Sequence, residues 1–153
     1  IKGLEILPVS TRAPGLDLKQ RCLGNIVTEL SQEIRKQISL YYDGDFSKYL
    51  VGFENHSGQT YFESDIVNPI GNTILGLGNN VEEQKEGAKY KNVFGSYTHG
   101  SLLPKNPHFA DLLIGLALEK KYGKRVQLSK LDDSTEWHAH KRFIEMYAPS
   151  SLT

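Results

Sequence analysis

Residues 90–106, YKNVFGSYTHGSLLPKN, bring a histidine to the end of a short apolar run and then lead into a helix. Val93, Phe94 and Tyr97 favour a β-strand, because β-branched and aromatic side chains are enriched in strands. The strand is predicted to end at His99. Ligands of open α/β sheets bind at the carboxyl ends of the strands. His99 is therefore a candidate catalytic residue, with an ordinary polar residue as the alternative.

The residues after this histidine predict a long helix. Asn106 is suited to the N-cap position and Pro107 to the first helical position. Apolar residues then recur every three or four positions, which predicts a buried stripe on a helix that extends to Tyr122 and stops at Gly123. This stripe is assigned to the hydrophobic core and not to a cofactor.

Other segments predict strands and loops. Residues 20–30 are rich in β-branched side chains and predict a strand, and residues 49–62 predict two strands joined by the turn at 55–58. A further short strand is expected at 73–77. Loops are predicted for the Pro- and Gly-containing residues 10–19 and for the highly charged residues 81–89, which are expected to be solvated.

The composition indicates one globular domain. The chain has 153 residues, 39% of them hydrophobic, and 18 Lys and Arg balance 18 Asp and Glu. Zero net charge argues against nucleic-acid or anionic-membrane partners, which need a basic face. One cysteine excludes an internal disulfide framework, and no run approaches the roughly 18 apolar residues of a membrane-spanning helix. We expect a reducing, cytoplasmic protein without membrane insertion.

Two candidate side chains allow a structural and a functional interpretation. Cys22 is predicted to be a small buried residue, because neither a helix N-terminus nor an adjacent base is visible to lower its pKa. His56 lies in the predicted turn at 55–58, where it is either a polar loop residue or a ligand contact.

No metal or cofactor is expected. A second helix is predicted from about Ser134 to Tyr147, and His138 and His140 would point to different faces of it, so they cannot share a metal ion. Residues 76–80, GLGNN, form neither of the glycine-rich motifs that bind nucleotide phosphates.

Several segments together carry a resemblance to a known family. They resemble the class I glutamine amidotransferase domain of the cobyric-acid-synthase type, and within it the glutaminase subunits of lipid II isoglutaminyl synthase. The segments are GLEIL (3–7), RCLGNIV (21–27), VGFENHSGQTY (51–61), GLGNN (76–80) and EGAKYKNVFGSYTHGSLLPKNP (86–107). The resemblance implies an α/β fold, the C-terminal half of a flavodoxin-like amidotransferase domain, that hydrolyses glutamine to glutamate and ammonia without a cofactor.

The resemblance also implies roles for individual residues. His99 matches the base that deprotonates a cysteine nucleophile and then protonates the leaving ammonia. Arg21 matches an arginine near the glutamine site, where a guanidinium could hold the α-carboxylate of the substrate by paired hydrogen bonds. A surface cation is the alternative for Arg21. Glu54 and His56 lie in a matched segment and receive no definite role.

Two features depart from the family pattern. The cysteine-glycine-glycine turn that carries the nucleophile does not occur here, and Cys22 is not at the nucleophile position. Since the sequence opens on Ile1 without an initiator Met, residues 1–153 are expected to be a partial domain, inactive alone, with the nucleophile half upstream. Ser101 stands where many relatives carry a glutamate that orients the histidine. Either no carboxylate takes that role here, or one comes from elsewhere, for which the partner ligase is the expected source.

Three functions follow from this resemblance. The first is hydrolysis of L-glutamine to supply ammonia to an ATP-dependent, Mur-ligase-like partner subunit of the MurT type, which amidates the D-glutamate of lipid II in peptidoglycan synthesis. The second is the same hydrolysis of glutamine, with the ammonia used for the synthesis of cobyric or cobyrinic acid. The third is a catalytically silent amidotransferase-like module that binds a partner.

Overall fold

A computed structural model describes residues 3–14 and 21–148 of the chain. This part is mixed α/β, and it contains nine strands and three helices. The strands are β1 (Val9–Arg12), β2 (Cys22–Leu30), β3 (Tyr49–His56), β4 (Gln59–Phe62), β5 (Gly71–Leu75), β6 (Lys85–Glu86), β7 (Ala88–Tyr90), β8 (Val93–Gly95) and β9 (Thr98–His99). The helices are α1 (Gln32–Ile38), α2 (Pro107–Tyr122) and α3 (Ser134–Tyr147).

The main sheet has five antiparallel strands in the order β6-β5-β2-β3-β9. Its longest ladder joins β2 and β3, from Cys22 opposite His56 to Glu29 opposite Tyr49. The two-residue strand β9 closes one edge by pairing Thr98 with Glu54 and His99 with Phe53. Two smaller antiparallel pairs, β1 with β4 and β7 with β8, lie beside this sheet.

The two faces of the main sheet are covered differently. One face, here called the inner face, packs against α1 and α2 through a buried apolar cluster: Leu30, Ile34, Ile38, Tyr41, Leu50, Ile70, Phe109 and Leu112. On the outer face, α3 covers one end of the sheet, where Phe143 packs with Val27, Tyr49 and Val51. The other end of the outer face remains exposed at Leu23 and Phe53.

The predicted helices are confirmed. Helix α2 spans Pro107–Tyr122 and stops at Gly123, whose φ of 69° is the left-handed conformation typical of a glycine that ends a helix. Helix α3 spans Ser134–Tyr147. The predicted role of Asn106 is wrong in one respect, because its side chain makes no bond to the helix terminus and instead faces β3.

Several loop and strand predictions are corrected. The segment 10–19 was expected to be a loop, yet β1 occupies its first residues, while residues 15–20 lie outside the described part. The run before His99 is not one strand, because Ser96 and Tyr97 separate β8 from β9. Strand β4 pairs with β1 and not with β3 across the intervening turn. The charged segment 81–89 is not a solvated loop, since it contains β6 and several buried side chains.

Candidate functional site

His99 lies at an exposed edge of the main sheet. It is the last residue of β9, as predicted, and its cross-strand partner is Phe53. Directly opposed residues project from the same face of a sheet, so His99 belongs to the exposed end of the outer face. Phe53 and Leu23 on that face retain 36% and 60% of their accessible surface. The sheet is antiparallel here, so the rule for carboxyl ends of parallel strands does not explain this position.

The chain turns sharply after His99. Gly100 and Ser101 both have positive φ, 63° and 62°. Such a conformation is uncommon for a non-glycine residue, and strained residues cluster at functional sites. The ring of His99 has no hydrogen-bond or ion-pair partner among the described residues. Its imidazole is therefore not oriented by any carboxylate in that part of the chain.

Arg21 lies on the same side of the sheet, at the start of β2. Its guanidinium donates to Oδ1 of Asn55, at 3.1 Å from Nε, and to Oγ of Ser57, at 3.4 Å from Nη1. Asn55 is two residues from Phe53, the partner of His99, so the two lie roughly 7 Å apart along β3. Both acceptors are neutral, and the positive charge has no anionic partner in the described residues. The site thus presents a cation and an imidazole to the same open surface.

A buried carboxylate holds the residues that precede His99. Glu86 is 1% exposed, and its Oε1 accepts hydrogen bonds from Ser96 Oγ at 2.6 Å, Tyr97 N at 3.0 Å and Thr98 Oγ1 at 3.2 Å. Its Oε2 is also buried but has no partner among the described residues. No role was predicted for Glu86, because it lies in a charged segment that was expected to be solvated.

One signal in the sequence pointed to this burial. Gly87 follows Glu86 and has a φ of 73°, and a Cβ atom placed there would lie 2.5 Å from Cδ1 of Ile70. Glycine and alanine have the smallest side chains, so at positions 87 and 88 they allow the backbone next to Glu86 to approach the core closely.

His56 is a buried residue of β3 and not a turn residue. Its ring stacks on that of Tyr97, with 3.7 Å between ring centroids and 7° between planes. Its Nδ1 is 2.8 Å from the carbonyl oxygen of Gly58, and Nε2 is buried without a partner. The hydroxyl of Tyr97 is hydrogen-bonded to Thr60 Oγ1 at 2.8 Å. This packing favours a structural role for His56 beneath the segment that carries His99.

Cys22 is fully buried at the start of β2. Burial raises the pKa of its thiol more than the hydrogen bond from Gln59 Nε2, at 3.6 Å, lowers it, and the negative charges of Glu54 and Glu86 raise it further. A nucleophilic cysteine needs an accessible thiolate. Cys22 therefore has the properties of a structural residue.

Glu54 lies in the same buried region, opposite Thr98 in the ladder of β3 and β9, but in the described residues its side chain accepts no hydrogen bond from residues 96–98. Its two carboxylate oxygens accept from the backbone N–H groups of Leu77 and Gly78, each at 2.8 Å. Such bonds to backbone amides compensate a buried carboxylate for the water it has lost. Glu54 thus fixes the glycine-rich turn after β5.

Asn106 anchors the segment that follows His99. It is fully buried, and its Oδ1 accepts from Val51 N at 2.9 Å. Its Nδ2 donates to Val51 O at 2.9 Å and to Leu102 O at 2.6 Å. The chain on both sides of His99 is therefore tied by buried polar side chains.

A second buried region lies between α2, α3 and the segment 42–46. Rings stack or pack edge to edge there: Tyr42, Phe46, His108, Trp137 and His140. Burial, and then the neighbouring His140, lower the pKa of His108 to about 3. Burial also lowers the pKa of His140, although its Nδ1 lies 2.8 Å from Lys105 O.

The remaining expectations concern metals and membranes. His138 is exposed while His140 is buried, so the two residues do lie on different faces of α3. In residues 3–14 and 21–148 no group of three His, Cys, Asp or Glu side chains is placed to hold a metal ion. Within the same residues, no helix has the length and apolar character needed to cross a membrane.

Comparison with known proteins identifies similar sequences. Residues 1–107 match the CobB/CobQ-like glutamine amidotransferase domain family. A protein of Streptococcus pneumoniae, named lipid II isoglutaminyl synthase (glutamine-hydrolyzing) subunit GatD, is 47% identical over 92 residues, which are 60% of this chain and 35% of that protein. The protein of the same name from Staphylococcus aureus is 41% identical over 96 residues, 63% of this chain and 38% of the relative. The matched part thus spans little more than a third of the length of these relatives.

Proposed function

Because this chain belongs to the CobB/CobQ-like glutamine amidotransferase domain family, we propose that it takes part in the hydrolysis of L-glutamine to glutamate and ammonia. The family match over residues 1–107 confirms the resemblance found in the sequence, and the mixed α/β structure confirms the predicted fold class. The observation that carries the proposal is the exposed imidazole of His99, on the same open face as the unpaired charge of Arg21.

We assign the following roles at this face. His99 is the base that takes a proton from a thiol nucleophile and returns it to the departing ammonia. Arg21 holds the α-carboxylate of glutamine, for which a guanidinium offers paired donors. The nucleophile is a cysteine outside these 153 residues, since Cys22 is buried and its pKa is raised. On this view the chain is part of a larger amidotransferase domain and is inactive alone.

The experiment that tests this function measures glutamate release by the full-length protein. The His99→Ala variant should lose roughly 10²- to 10⁴-fold in rate, which is the usual contribution of general acid–base catalysis. The His138→Ala variant is the matched control, because it removes an exposed histidine of α3, far along the chain from the site. Arg21→Ala should mainly raise KM for glutamine. Wild-type turnover in His99→Ala would rule out the assignment and favour a non-catalytic binding module.

The acceptor of the ammonia is proposed from the names of the relatives. Both are called lipid II isoglutaminyl synthase subunits, so we propose that ammonia passes to an ATP-dependent, Mur-ligase-like partner that amidates the D-glutamate of lipid II. Reconstitution with such a partner, ATP and lipid II should give amidated product from glutamine. Product formed only with a cobyric or cobyrinic acid synthetase would assign the chain to that pathway instead.

The partner also provides the carboxylate that orients His99. This part of the proposal is supported by Ser101 at the position two residues after His99, and by the absence of a carboxylate partner for the His99 ring among the described residues. A structure of the complex should place a partner Asp or Glu within hydrogen-bond distance of the imidazole. If none lies there, the idea of a shared catalytic group should be abandoned.

A further inference from the structure

We propose that Glu86 is a positioning residue for His99. Its buried carboxylate holds the three residues that immediately precede the histidine, and so fixes where the imidazole lies at the sheet edge. This inference rests on the catalytic role proposed above for His99. It assigns Glu86 no contact with substrate.

The hydrogen bonds of Glu86 are concentrated on one short segment. A single oxygen, Oε1, accepts from residues 96, 97 and 98 in succession, through two hydroxyl groups and one backbone N–H. The hydroxyl oxygen of Ser96 in turn accepts from Thr98 N at 2.9 Å. Hydrogen bonds to a charged acceptor are roughly twice as strong as neutral ones. The segment before His99 is thus held at each of its three residues.

The strand that carries His99 needs this support. Strand β9 contains only two residues, and it pairs with β3 alone at the edge of the sheet. An edge strand of two residues is joined to the sheet by only its two paired residues, Thr98 and His99. The chain leaves the sheet directly after His99 through two residues with positive φ. The ladder by itself therefore constrains the position of His99 weakly.

Packing from the other side completes the arrangement. The ring of His56 stacks on Tyr97, and the hydroxyl of Tyr97 is hydrogen-bonded to Thr60. Glu86 and His56 therefore contact the same segment, Glu86 from β6 at one edge of the main sheet and His56 from β3, next to the other edge. Although β6 is far from β9 in the strand order of the main sheet, the Glu86 carboxylate reaches residues 96–98, next to the point where β7 pairs with β8.

The burial of Glu86 is costly, which argues against an incidental position. A carboxylate removed from water is destabilising unless its oxygens are compensated. Here Oε1 has three partners and the buried Oε2 has none among the described residues. An uncompensated buried polar atom in a folded protein calls for an explanation, and a functional requirement is one of the few available.

The test compares two buried carboxylates in the full-length protein assembled with its ligase partner. Glu86→Gln keeps the size of the side chain but removes its charge, and we expect kcat to fall about 10- to 100-fold while KM for glutamine stays within about twofold. Glu54→Gln is the matched control, because Glu54 is equally buried and also accepts backbone N–H bonds, but from a different loop. It should lower thermal stability to a similar degree and change kcat less than about threefold.

Two further measurements separate positioning from general stability. If Glu86 acts through Ser96, the double variant Glu86→Gln, Ser96→Ala should be no slower than the slower single variant, since coupled residues are not additive. The NMR signals of the His99 imidazole should shift or broaden in Glu86→Gln and stay unchanged in Glu54→Gln. A purely structural role would produce neither difference.

The failures of the two proposals are distinguishable. An inactive His99→Ala combined with a Glu86→Gln variant within about twofold of wild-type kcat would leave the function standing and overturn the positioning role. Equal losses of kcat in Glu86→Gln and Glu54→Gln would overturn it as well, by assigning the effect to stability. Full activity in His99→Ala would overturn both proposals together.

Discussion

Two buried regions of the molecule hold their polar atoms by different contacts. In the carboxylate cluster, formed by Glu54, His56, Glu86 and Tyr97, the carboxylates accept several hydrogen bonds from loop residues. In the aromatic cluster, formed by Tyr42, Phe46, His108, Trp137 and His140, rings pack against each other and both ring nitrogens of His108 lack a hydrogen-bond partner in the described residues.

The difference indicates different tasks for the two clusters. Hydrogen bonds are directional, so Glu86 defines the geometry of the segment before His99 and Glu54 that of the turn after β5. Ring packing is less directional and stabilises the fold mainly by burying apolar surface. The aromatic cluster therefore stabilises the packing of α3 against the rest of the fold. Within the first cluster, loss of the Glu86 carboxylate should alter activity, because of the two carboxylates only that of Glu86 accepts hydrogen bonds from residues 96–98 in the described part of the chain. Changes in the second cluster should alter stability.

Asn106 joins β3 to the segment that follows His99, and its replacement should have the largest effect. Asn106→Ala leaves the buried N–H and C=O groups of Val51 and the C=O of Leu102 without their partner. Each unsatisfied buried group costs about 1–3 kcal/mol. We therefore expect the free energy of unfolding, measured by urea titration of the full-length protein, to fall by at least about 3 kcal/mol, with loss of glutaminase activity.

An exposed asparagine provides the control for this change. Asn72 is exposed on β5, and Asn72→Ala should stay within about 0.5 kcal/mol of wild type. A loss below about 1 kcal/mol in Asn106→Ala would show that water satisfies the freed groups of Val51. The segment after His99 would then not be anchored in the way described here.

The second prediction separates the clusters by pH. His108 is neutral in the folded protein, because burial and the neighbouring His140 lower its pKa from 6.5 to about 3. Below pH 6.5 this histidine binds a proton in the unfolded chain but not in the folded chain. The free energy of unfolding is therefore highest above pH 6.5 and decreases as the pH falls toward 3. One such histidine can lower the free energy of unfolding by up to about 1.4 kcal/mol for each pH unit in this range.

The measurement is the unfolding free energy at pH 7 and pH 5. Wild type should lose more than about 2 kcal/mol over this interval, of which His108 accounts for about 2 kcal/mol, and His108→Phe, which retains an aromatic ring, should lose correspondingly less. His140, whose pKa is also lowered by burial, accounts for the remainder. The control variant His138→Ala removes an exposed histidine, and its free energy of unfolding should depend on pH as in wild type. If the free energy of unfolding of His108→Phe depends on pH as in wild type, His108 does not cause the loss of stability in acid.

The same comparison shows what the sequence could predict. Local patterns fixed the long elements: α2, α3 and the strands β2 and β3 follow from periodicity, β-branched residues and the glycine at position 123. His99 was recognised because it follows a short apolar run and lies in a family segment. These signals are contained within about 20 residues of the chain.

The carboxylate cluster could not be predicted in this way. Glu86 is charged and has charged neighbours in the sequence, so local composition predicts exposure. Its burial depends on the pairing of β6 with β5 and on donors from residues 96–98, which the pairing of β7 with β8 brings opposite Glu86. His56 was placed in a turn for the same reason, since its stacking on Tyr97 joins residues that are distant in sequence.

The smallest effect is predicted for His56→Phe, and this variant distinguishes a structural role of His56 from a ligand contact. His56→Phe preserves a ring that can stack on Tyr97, loses the contact between Nδ1 and Gly58 O, and removes the buried Nε2 that has no partner. A lost hydrogen bond costs about 1 kcal/mol and the removal of an unsatisfied atom offsets part of that, so the unfolding free energy should change by less than about 1 kcal/mol. KM for glutamine should not change. His56→Ala, which also removes the stacked ring, should be clearly less stable, and a KM raised severalfold in His56→Phe at wild-type stability would instead make His56 a ligand contact.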